Sequence, residues 1–354
     1  MKTRFCRFGG MMTIVFLAVI SATATDHKRD VFVLTSTNNP TGNGVAVFEL
    51  DVSGTPSMSL VTVLPTGGNG GASGNAGILQ FQDRFGAVAN YGSNTVTQLV
   101  RDRDSVSIGE TIKLKPGCTN PDSVALAHDH LFVVGANCAE SHAWPWGNLE
   151  GSTVAISDTS AAQIVTGQTW AAVTLKSGSV LQLPLSRYGA LNGTSSTVTL
   201  PTNANNTPLG AAFWGDLLGF NPAHSPDSFA VVNKNRDVFP VLGPQPAYPS
   251  NAPCWLAKGP GNIWYSGNSP GQAVSIFFSD GRGGRFYKSV PLPGVPTDIT
   301  VSGDGRWLAV IYTAADGSGA RIAVFAIDTH GDLSLAATSS PIGVASFSGV
   351  AFSQ

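Results

Sequence analysis

The sequence predicts an all-β fold, a seven-bladed β-propeller closed by pairing the C-terminal strand with the N-terminal blade. Two observations predict it. Apolar runs of roughly five to eight residues alternate with turn residues along the chain, without convincing helical periodicity. These runs also repeat about every 40 residues, as propeller blades do. Only 12% of residues are charged, and the 41 glycines and 22 prolines suit a strand-and-turn protein with a large core.

The recurring piece is a strand that ends in a turn leading to another strand. It reads GVAVFELDVSG at 44–54, NTVTQLVRDRD at 94–104, GSVLQLPLSRYG at 179–189, QAVSIFFSDGRG at 272–283 and ARIAVFAIDTHGDLSL at 320–335. Upstream of most copies lies a hairpin, such as GILQFQDRFGAVANYG at 77–92. Each unit therefore predicts one four-stranded blade.

The repeat divides the chain into seven units. They begin near Asp30, Asn75, Asp122, Trp170, Leu209, Cys254 and Thr297. The segment SFSGVAFSQ at 346–354 has the pattern of an innermost strand with no partners after it. VFVLTST at 31–37 resembles a second strand with no first strand before it, so pairing the two closes the ring. Six or eight blades stay open as alternatives because units four and five are irregular.

The N-terminus has the pattern of a secretory signal peptide. Three basic residues precede a short apolar run and a small-residue motif: Lys2, Arg4 and Arg7, then 11–20, then Ala22-Thr23-Ala24. We therefore expect a signal peptide over 1–24, a short propeptide or tail over 25–29, and one propeller domain over 30–354. The protein is expected to be secreted or luminal, with no membrane anchor after cleavage.

Charge and sequons narrow the expected partners. The formal net charge is −2 and the chain has no basic stripe, which argues against nucleic acid. Sequons at Asn192 and Asn205 predict glycosylation in the secretory pathway. The expected partner is a small-molecule substrate, and the expected state is a monomer.

The predicted mature chain has three cysteines. A hairpin centred near residue 129 brings Cys138 opposite roughly residue 120, within about two residues of Cys118. This register predicts a Cys118–Cys138 disulfide. Cys254 is then expected to be a buried structural thiol, with a nucleophile as the alternative.

Four stretches carry a resemblance to a known family. They are GAVANYGSNTVTQLV, PDSVALAHDHLFVVGAN, APCWLAKGPGNIWYSGNS and PTDITVSGDGRWLAVIYTAADGSGARIAVFAID. The chain resembles the lactonase-type seven-bladed propellers, which include 6-phosphogluconolactonase-like and carboxymuconate-lactonizing-enzyme-like proteins. It is also similar to their secreted fungal branch, which includes hetero-Diels–Alderase-like proteins of tropolone-sesquiterpenoid pathways. The resemblance implies the fold and an enzyme of small-molecule metabolism.

A propeller pocket is expected over the central channel, where innermost strands begin and second strands end. The predicted beginnings are Asn75, Asp122, Trp170, Trp214, Trp255 and Thr297. The predicted ends are Thr37, Asn90, Tyr91, Asn137, Lys176, Asn233, Ser266 and Tyr312. Their amides, hydroxyls and rings predict a substrate pocket with apolar walls and scattered hydrogen-bonding groups.

The segment CAESHAWPWGNLEG at 138–151 is predicted to be a lid over that pocket, because long loops in compact domains are usually functional or disordered. Glu140 and His142 are candidates for a general base, or else an exposed carboxylate and a loop-bonding imidazole. Trp144 and Trp146 either line the pocket with the other tryptophans or fill gaps in the packing.

No metal or cofactor is expected, since Asp122 is the one carboxylate among the predicted mouth residues. The leading hypothesis is a metal-free cyclase of the hetero-Diels–Alder type, acting on apolar small molecules in fungal secondary metabolism. Lys176, Asn137 or His142 would donate to a carbonyl. The alternatives are a lactone hydrolase or muconate-type lactonizing enzyme, with His142 or Glu140 as base, and a non-enzymatic secreted binding protein.

Overall fold

The computed structural model describes residues 31–202, 204–224, 228–233, 235–242, 252–269, 271–342 and 347–354. The predicted signal peptide and the 25–29 segment lie outside the described residues. Within them, the chain forms seven four-stranded antiparallel sheets, one for each blade.

The first four blades are given from the innermost strand outwards. Blade 1 contains β28 (Ser348–Ser353), β1 (Val31–Ser36), β2 (Gly44–Asp51) and β3 (Ser57–Pro65). Blade 2 contains β4 (Leu79–Gln82), β5 (Phe85–Asn90), β6 (Thr95–Asp102) and β7 (Ser105–Lys113), with a 3₁₀ turn at Tyr91–Ser93. Blade 3 contains β8 (Ser123–Ala127), β9 (His130–Val134), β10 (Cys138–Ala143) and β11 (Leu149–Ala155). Blade 4 contains β12 (Ala161–Thr166), β13 (Trp170–Leu175), β14 (Ser179–Pro184) and β15 (Ser196–Val198).

The last three blades follow the same order. Blade 5 contains β16 (Pro208–Trp214), β17 (Leu217–Pro222), β18 (Ser228–Val232) and β19 (Val238–Leu242). Blade 6 contains β20 (Pro253–Lys258), β21 (Ile263–Asn268), β22 (Ala273–Ser279) and β23 (Gly284–Pro291). Blade 7 contains β24 (Gly294–Val301), β25 (Trp307–Ala314), β26 (Ala320–Ile327) and β27 (Leu333–Thr338).

The seven innermost strands form a closed ring, because each contacts the innermost strand of both neighbouring blades. Blade 1 closes the ring as predicted. Strand β28 pairs with β1 antiparallel, with Phe32 opposite Ser353, and the Thr35 hydroxyl donates to the Gly349 carbonyl at 2.7 Å. The predicted seven-bladed all-β propeller is confirmed.

Burial explains the strand composition. Inner strands are covered on both faces by neighbouring blades, so β9 and β13 read as continuous buried runs, HLFVV and WAAVTL. The outermost strand β3 faces solvent, and its residues are largely exposed. One core cluster joins Val33 and Phe48 of blade 1 to Ile311 and Val324 of blade 7, so packing between blades fixes the ring.

We call the end of the ring where innermost strands begin the upper face, and the end where they finish the lower face. Second strands therefore end at the upper face, and third strands end at the lower face. Among the described residues, no helix is long and apolar enough to span a membrane.

Two sequence predictions about strand order were wrong. The innermost strand of blade 4 is β12, and Trp170 instead begins the second strand, β13. The predicted lid at 138–151 is the hairpin of β10 and β11, the outer half of blade 3. Both errors have one physical cause: β10 is buried on both faces although it carries polar residues, so its sequence lacks the apolar pattern of a strand.

Candidate functional site

The central channel contains a cavity of about 260 Å³. It is lined by residues in or just before the innermost strands of blades 2 to 7. Gln80, Gln163 and Asp298 contribute polar groups to its wall, and Lys258 ends β20 near the lower face. Between them, aliphatic side chains such as Val124 complete the lining. The cavity wall therefore combines a few polar groups with aliphatic side chains.

Asp298 is a buried carboxyl in the channel wall, with only 5% of its surface exposed. Its oxygens accept hydrogen bonds from the backbone nitrogens of Ile299 at 2.8 Å and Gly77 at 3.3 Å. Burial raises the pKa of Asp298 to about 7, because desolvation penalises the charged form more than these bonds stabilise it. Near neutral pH this group is present in both protonation states.

Asp122 is a second buried carboxyl, just before β8 at the upper face. Burial raises its pKa to about 7, and the positive charge of Lys176 partly offsets that rise. Lys176 directly follows β13, also at the upper face. A perturbed carboxyl with a nearby cation is typical of functional sites, although structural networks also produce it.

Asn75 connects three blades at the upper end of the channel. Its side-chain nitrogen donates to the Asp122 carbonyl, and its own carbonyl accepts from the indole nitrogen of Trp255 at 3.3 Å. The Asn75 side-chain oxygen is buried and has no hydrogen-bond partner among the described residues. An unpaired buried acceptor is costly, so a donor placed against this atom would stabilise the folded protein. Asp298 lies midway along β24 and is linked to this end through its bond from Gly77, two residues after Asn75. We call Asn75, Asp122, Lys176 and Trp255, together with Asp298, the upper mouth.

Other predicted residues reach the upper face but bond within the protein. Asn90 donates to the hydroxyls of Thr95 and Thr97 at 3.1 and 2.8 Å. Asn137 donates to the Gly117 carbonyl at 2.6 Å. Tyr312 is buried in the core that blades 6 and 7 share, and Tyr91 begins the 3₁₀ turn after β5. Their predicted substrate-binding and catalytic roles stay predictions.

Five predicted pocket residues lie at the lower face instead. They are Trp144, Trp146, Trp170, Trp214 and Asn233. Trp144 and Trp146 lie in the β10–β11 turn, and Trp214 ends its strand rather than beginning it. Asn233 follows β18, which is a third strand and not a second one. The structure therefore does not bring these side chains together with the upper mouth.

Trp170 and Lys258 illustrate the packing at the lower face. The Trp170 indole nitrogen donates to the Asp216 carbonyl at 3.3 Å, and its ring meets Phe213 edge-on at 4.7 Å. The Lys258 ammonium lies 4.9 Å from the Trp214 ring centre and donates to the Gly259 carbonyl at 2.5 Å. Burial lowers the pKa of Lys258 to about 8.

Glu140 and His142 lie on β10, away from the channel, and both are buried. The His142 Nε2 is 3.2 Å from a Glu140 oxygen, and the Lys115 backbone nitrogen donates to both Glu140 oxygens at 3.2 Å. His142 Nδ1 lies 3.1 Å from the Gly147 carbonyl, which requires a proton on Nδ1 for a hydrogen bond. The structure therefore does not bring this pair together with the channel residues, and its predicted catalytic role stays a prediction.

The structure pairs Cys118 with Cys138 in a disulfide, with Cα atoms 5.5 Å apart, in agreement with the predicted register. Cys254 is a partly buried free thiol, and burial raises its pKa to about 12, which disfavours a nucleophile. Asn192 and Asn205 are both exposed. Their glycosylation stays a prediction.

Sequence reasoning missed Asp298 by one residue. It selected Thr297 as the start of the innermost strand, but a register shift between Pro296 and Asp298 interrupts the alternation of faces there. The available signal was a single carboxylate inside the apolar strand PTDITV. Gln163 was also missed, because the innermost strand of blade 4 was assigned to the wrong segment.

Comparisons with known proteins support the fold. No protein-family model matches the chain, and no curated protein matches it. Among solved structures, a protein from Lactobacillus plantarum is 16% identical, with a TM-score of 0.69 over 92% of this chain and 100% of the other. A candidate 6-phosphogluconolactonase from Bacteroides fragilis is 12% identical, with a TM-score of 0.65 over 93% and 99%.

Virginiamycin B lyase from Staphylococcus aureus is also similar, at 12% identity and a TM-score of 0.55 over 79% of this chain and 94% of the other. The chain is thus a seven-bladed β-propeller that resembles candidate 6-phosphogluconolactonases at low identity. Likeness at these identities shows the fold alone, so function has to be argued from the site.

Proposed function

We propose that the protein is an enzyme that opens the lactone ring of a small molecule at the upper mouth. The observation that carries this proposal is the pair of buried carboxyls, Asp122 and Asp298, whose pKa values are each raised to about 7. General acids and bases work best when their pKa lies near the operating pH. Asp298 lines the channel cavity midway along β24, and Asp122 lies just before β8 at the upper face.

Lactone opening by water needs three functions, and the upper mouth offers a group for each. In this proposal ionised Asp298 removes a proton from the attacking water. The Lys176 ammonium stabilises the negative charge that develops on the carbonyl oxygen. Protonated Asp122 then gives its proton to the departing ring oxygen, which leaves as a hydroxyl while the carbonyl carbon becomes a carboxyl group.

The positions of the tryptophans favour lactone chemistry over a cyclase. Four of the five tryptophans expected in the pocket lie at the lower face, and Trp255 alone belongs to the upper mouth. The hetero-Diels–Alder cyclase stays the second candidate, because Val124, Ile164 and Leu256 give the channel below the mouth an aliphatic wall.

The test is turnover of a lactone panel by the purified chain. The panel contains a six-carbon sugar lactone, a muconate-type lactone and a cyclic depsipeptide, with acid release followed in weakly buffered indicator solution. We expect Asp298→Asn and Asp122→Asn to lower kcat/KM by roughly 10²–10⁴-fold, the usual range for an acid or base. Lys176→Met should lower it by about 10²–10³-fold.

Asp83→Asn is the matched control, since Asp83 is exposed in the lower-face turn between β4 and β5. Each variant is compared with the parent by near-ultraviolet circular dichroism, so that a folding defect is not mistaken for lost chemistry. Equal turnover by the parent and the three upper-mouth variants would reject the proposal. Cyclised products from a diene and carbonyl pair, formed equally well by Asp298→Asn, would instead support the cyclase.

A further inference from the structure

Exposed apolar side chains are concentrated at one place on the outer rim of the propeller. Among the described residues nine large apolar side chains are exposed, and four of them lie on the outermost strands of the neighbouring blades 1 and 7. These four are Leu60, Val61 and Val63 of β3 and Leu335 of β27. Strands β3 and β27 contact each other, so the four side chains belong to one surface. We call the surface of β3 and β27 the apolar rim.

The two strands of the apolar rim lack the features that usually protect the edge of a sheet. Charged side chains, proline or a very short strand discourage an outermost strand from associating with another chain. Each of the other five outermost strands has one of these features: Glu110 and Lys113 in β7, Glu150 in β11, a length of three residues in β15, Pro240 in β19, and Arg285 and Lys288 in β23. In contrast, β3 reads SMSLVTVLP, with its proline at the last position, and β27 reads LSLAAT.

Charge indicates which partner suits this surface. Residues 52–82 include no Asp, Glu, Lys, Arg or His, so the apolar rim has no charge of its own along β3. Such a surface does not attract a charged partner, but it meets no repulsion from a copy of itself. With a two-fold axis through the middle of β3, Asp51 opposite Ser57 lies about 26 Å from its symmetry mate, well beyond a Debye length.

The size of the apolar rim predicts a weak dimer. Strand β3 has nine residues and is therefore about 30 Å long, and β27 packs beside it at roughly 10 Å. The rim thus offers each copy roughly 300–600 Å², or about 600–1,200 Å² for a pair, which is the low end of specific interfaces. A groove of about 370 Å³ between the beginning of β3 and β27 gives the surface a shape that apolar side chains can fill.

We propose that two copies of the protein form an isologous dimer through the apolar rim, with the two β3 strands antiparallel and the two-fold axis near Val61. Side chains make the contact, because a register shift between Val47 and Phe48 leaves Val61 as a bulge that interrupts regular strand pairing. The sequons at Asn192 and Asn205 follow β14 and β15 of blade 4, across the ring, so glycans there would leave the rim free. The dimer is independent of the chemistry proposed at the upper mouth.

Sedimentation velocity of the purified chain measures this association directly. Between about 1 and 200 µM we expect a shift from monomer to dimer, with a Kd on the order of 10 µM. A monomer at every concentration would overturn the proposal. Association that continues beyond two copies would also overturn it, because a two-fold interface is closed.

A charge placed on the axis tests the surface. Val61→Lys brings two ammonium groups together at the interface, and it should raise the Kd at least about 10-fold. Leu149→Lys is the matched control, since Leu149 is 44% exposed on the outermost strand of blade 3, and it should dimerise like the parent. Near-ultraviolet circular dichroism verifies that both variants are folded. A parent-like Kd for Val61→Lys, or an equal loss in the control, contradicts the proposed surface.

Cysteine substitution tests the position of the axis without adding charge. On a Cys254→Ser background, Val61→Cys places two thiols next to the axis, where Cα atoms within about 7 Å can form a disulfide. Mild oxidation should therefore convert Val61→Cys into a covalent dimer and leave Leu149→Cys largely monomeric. A Val61→Cys chain that still dimerises but does not cross-link would overturn the antiparallel arrangement.

Discussion

The two ends of the channel contrast in how their polar groups are satisfied. At the upper mouth, Asp122 and Asp298 are buried carboxyls with raised pKa values, and Asn75 holds an unpaired oxygen. At the lower end, Lys258 donates to two backbone carbonyls and lies against the rings of Trp214 and Trp264. The ammonium at the lower end is therefore bonded within the protein, although the indole nitrogens of Trp144 and Trp264 there have no partner among the described residues. The upper end instead holds two carboxyls with raised pKa values and an unpaired amide oxygen.

This difference indicates which end of the channel contributes less to the free energy of unfolding. Buried groups that are incompletely paired lower the free energy of unfolding, and such groups persist where function requires them. Satisfied groups with aromatic packing raise it. We therefore expect changes at the lower end to affect folding and changes at the upper mouth to affect chemistry.

The largest effect should come from Trp264→Ala. Trp264 is fully buried and packs against Phe229, with ring centres 5.7 Å apart. Removing an indole from a packed core costs about 3–5 kcal/mol. Urea unfolding should show this loss while the folded fraction keeps the lactone turnover of the parent. Loss of lactone turnover in fully folded Trp264→Ala would contradict the expectation that changes at the lower end affect only folding.

The next effect is a pH dependence of stability. The folded pKa of Asp298 is about 7 and the ordinary value is 3.8, so the unfolded chain loses its proton first. Stability therefore falls as the pH rises from about 4 to about 7. Asp298→Asn should remove up to about 4 kcal/mol of this loss in the free energy of unfolding. The titration of Asp122 accounts for the rest of the loss.

Chemical unfolding at pH 4, 5.5 and 7.5 measures this slope for Asp298→Asn and for the Asp83→Asn control. An identical slope in the two variants would mean that Asp298 titrates as an ordinary carboxyl. The proposed acid–base role would then lose its main support.

A smaller and opposite slope is expected from Lys258. Its folded pKa is about 8 and its ordinary value 10.5, so the folded chain loses its proton first and stability rises from pH 8 to about 10. The ammonium is only partly buried, so the gain should stay below about 1 kcal/mol. Melting temperatures of Lys258→Met at pH 7.5 and 10 measure it, on a Cys254→Ser background that removes the thiol titration. If the Lys258→Met variant shows the same rise in stability, a group other than Lys258 causes it.

The smallest effect should be that of Trp146→Ala. Trp146 is 73% exposed in the lower-face turn of blade 3. Its loss should change stability by no more than about 0.5 kcal/mol and leave lactone turnover unchanged. A clear drop in kcat/KM would instead favour the substrate-binding role that the sequence suggested for this residue.

The fold could be predicted from the sequence because strands and turns alternate along the chain, and this alternation repeats with each blade. Closure of blade 1 was predictable, since 346–354 and 31–37 each lack a partner strand and together complete one blade. The disulfide was predictable for a similar reason, because hairpin register relates Cys118 and Cys138 by simple counting. Such features depend on spacing along the chain.

The site was harder to predict because it depends on details that spacing does not show. One register shift beside Thr297 places Asp298, and not Thr297, in the wall of the channel cavity. Because the polar strand β10 was mistaken for a lid, Trp170 was predicted to begin an innermost strand. In the structure it begins a second strand. An error of one strand exchanges the upper and lower faces, and this explains the misplacement of Trp170. Trp144 and Trp146 were misplaced with the segment taken for a lid, and Trp214 was assigned to the wrong end of its strand.

Closure of the ring has a consequence for the order of events during synthesis. Thr35 and Gly349 bond across 314 positions of the chain. Loop entropy grows only logarithmically, so this contact costs about 2 kcal/mol more than one across 40 residues. Until residues 348–353 leave the ribosome, however, the inner edge of β1 has no strand to pair with and remains open to other chains. The first blade begun is therefore the last blade finished.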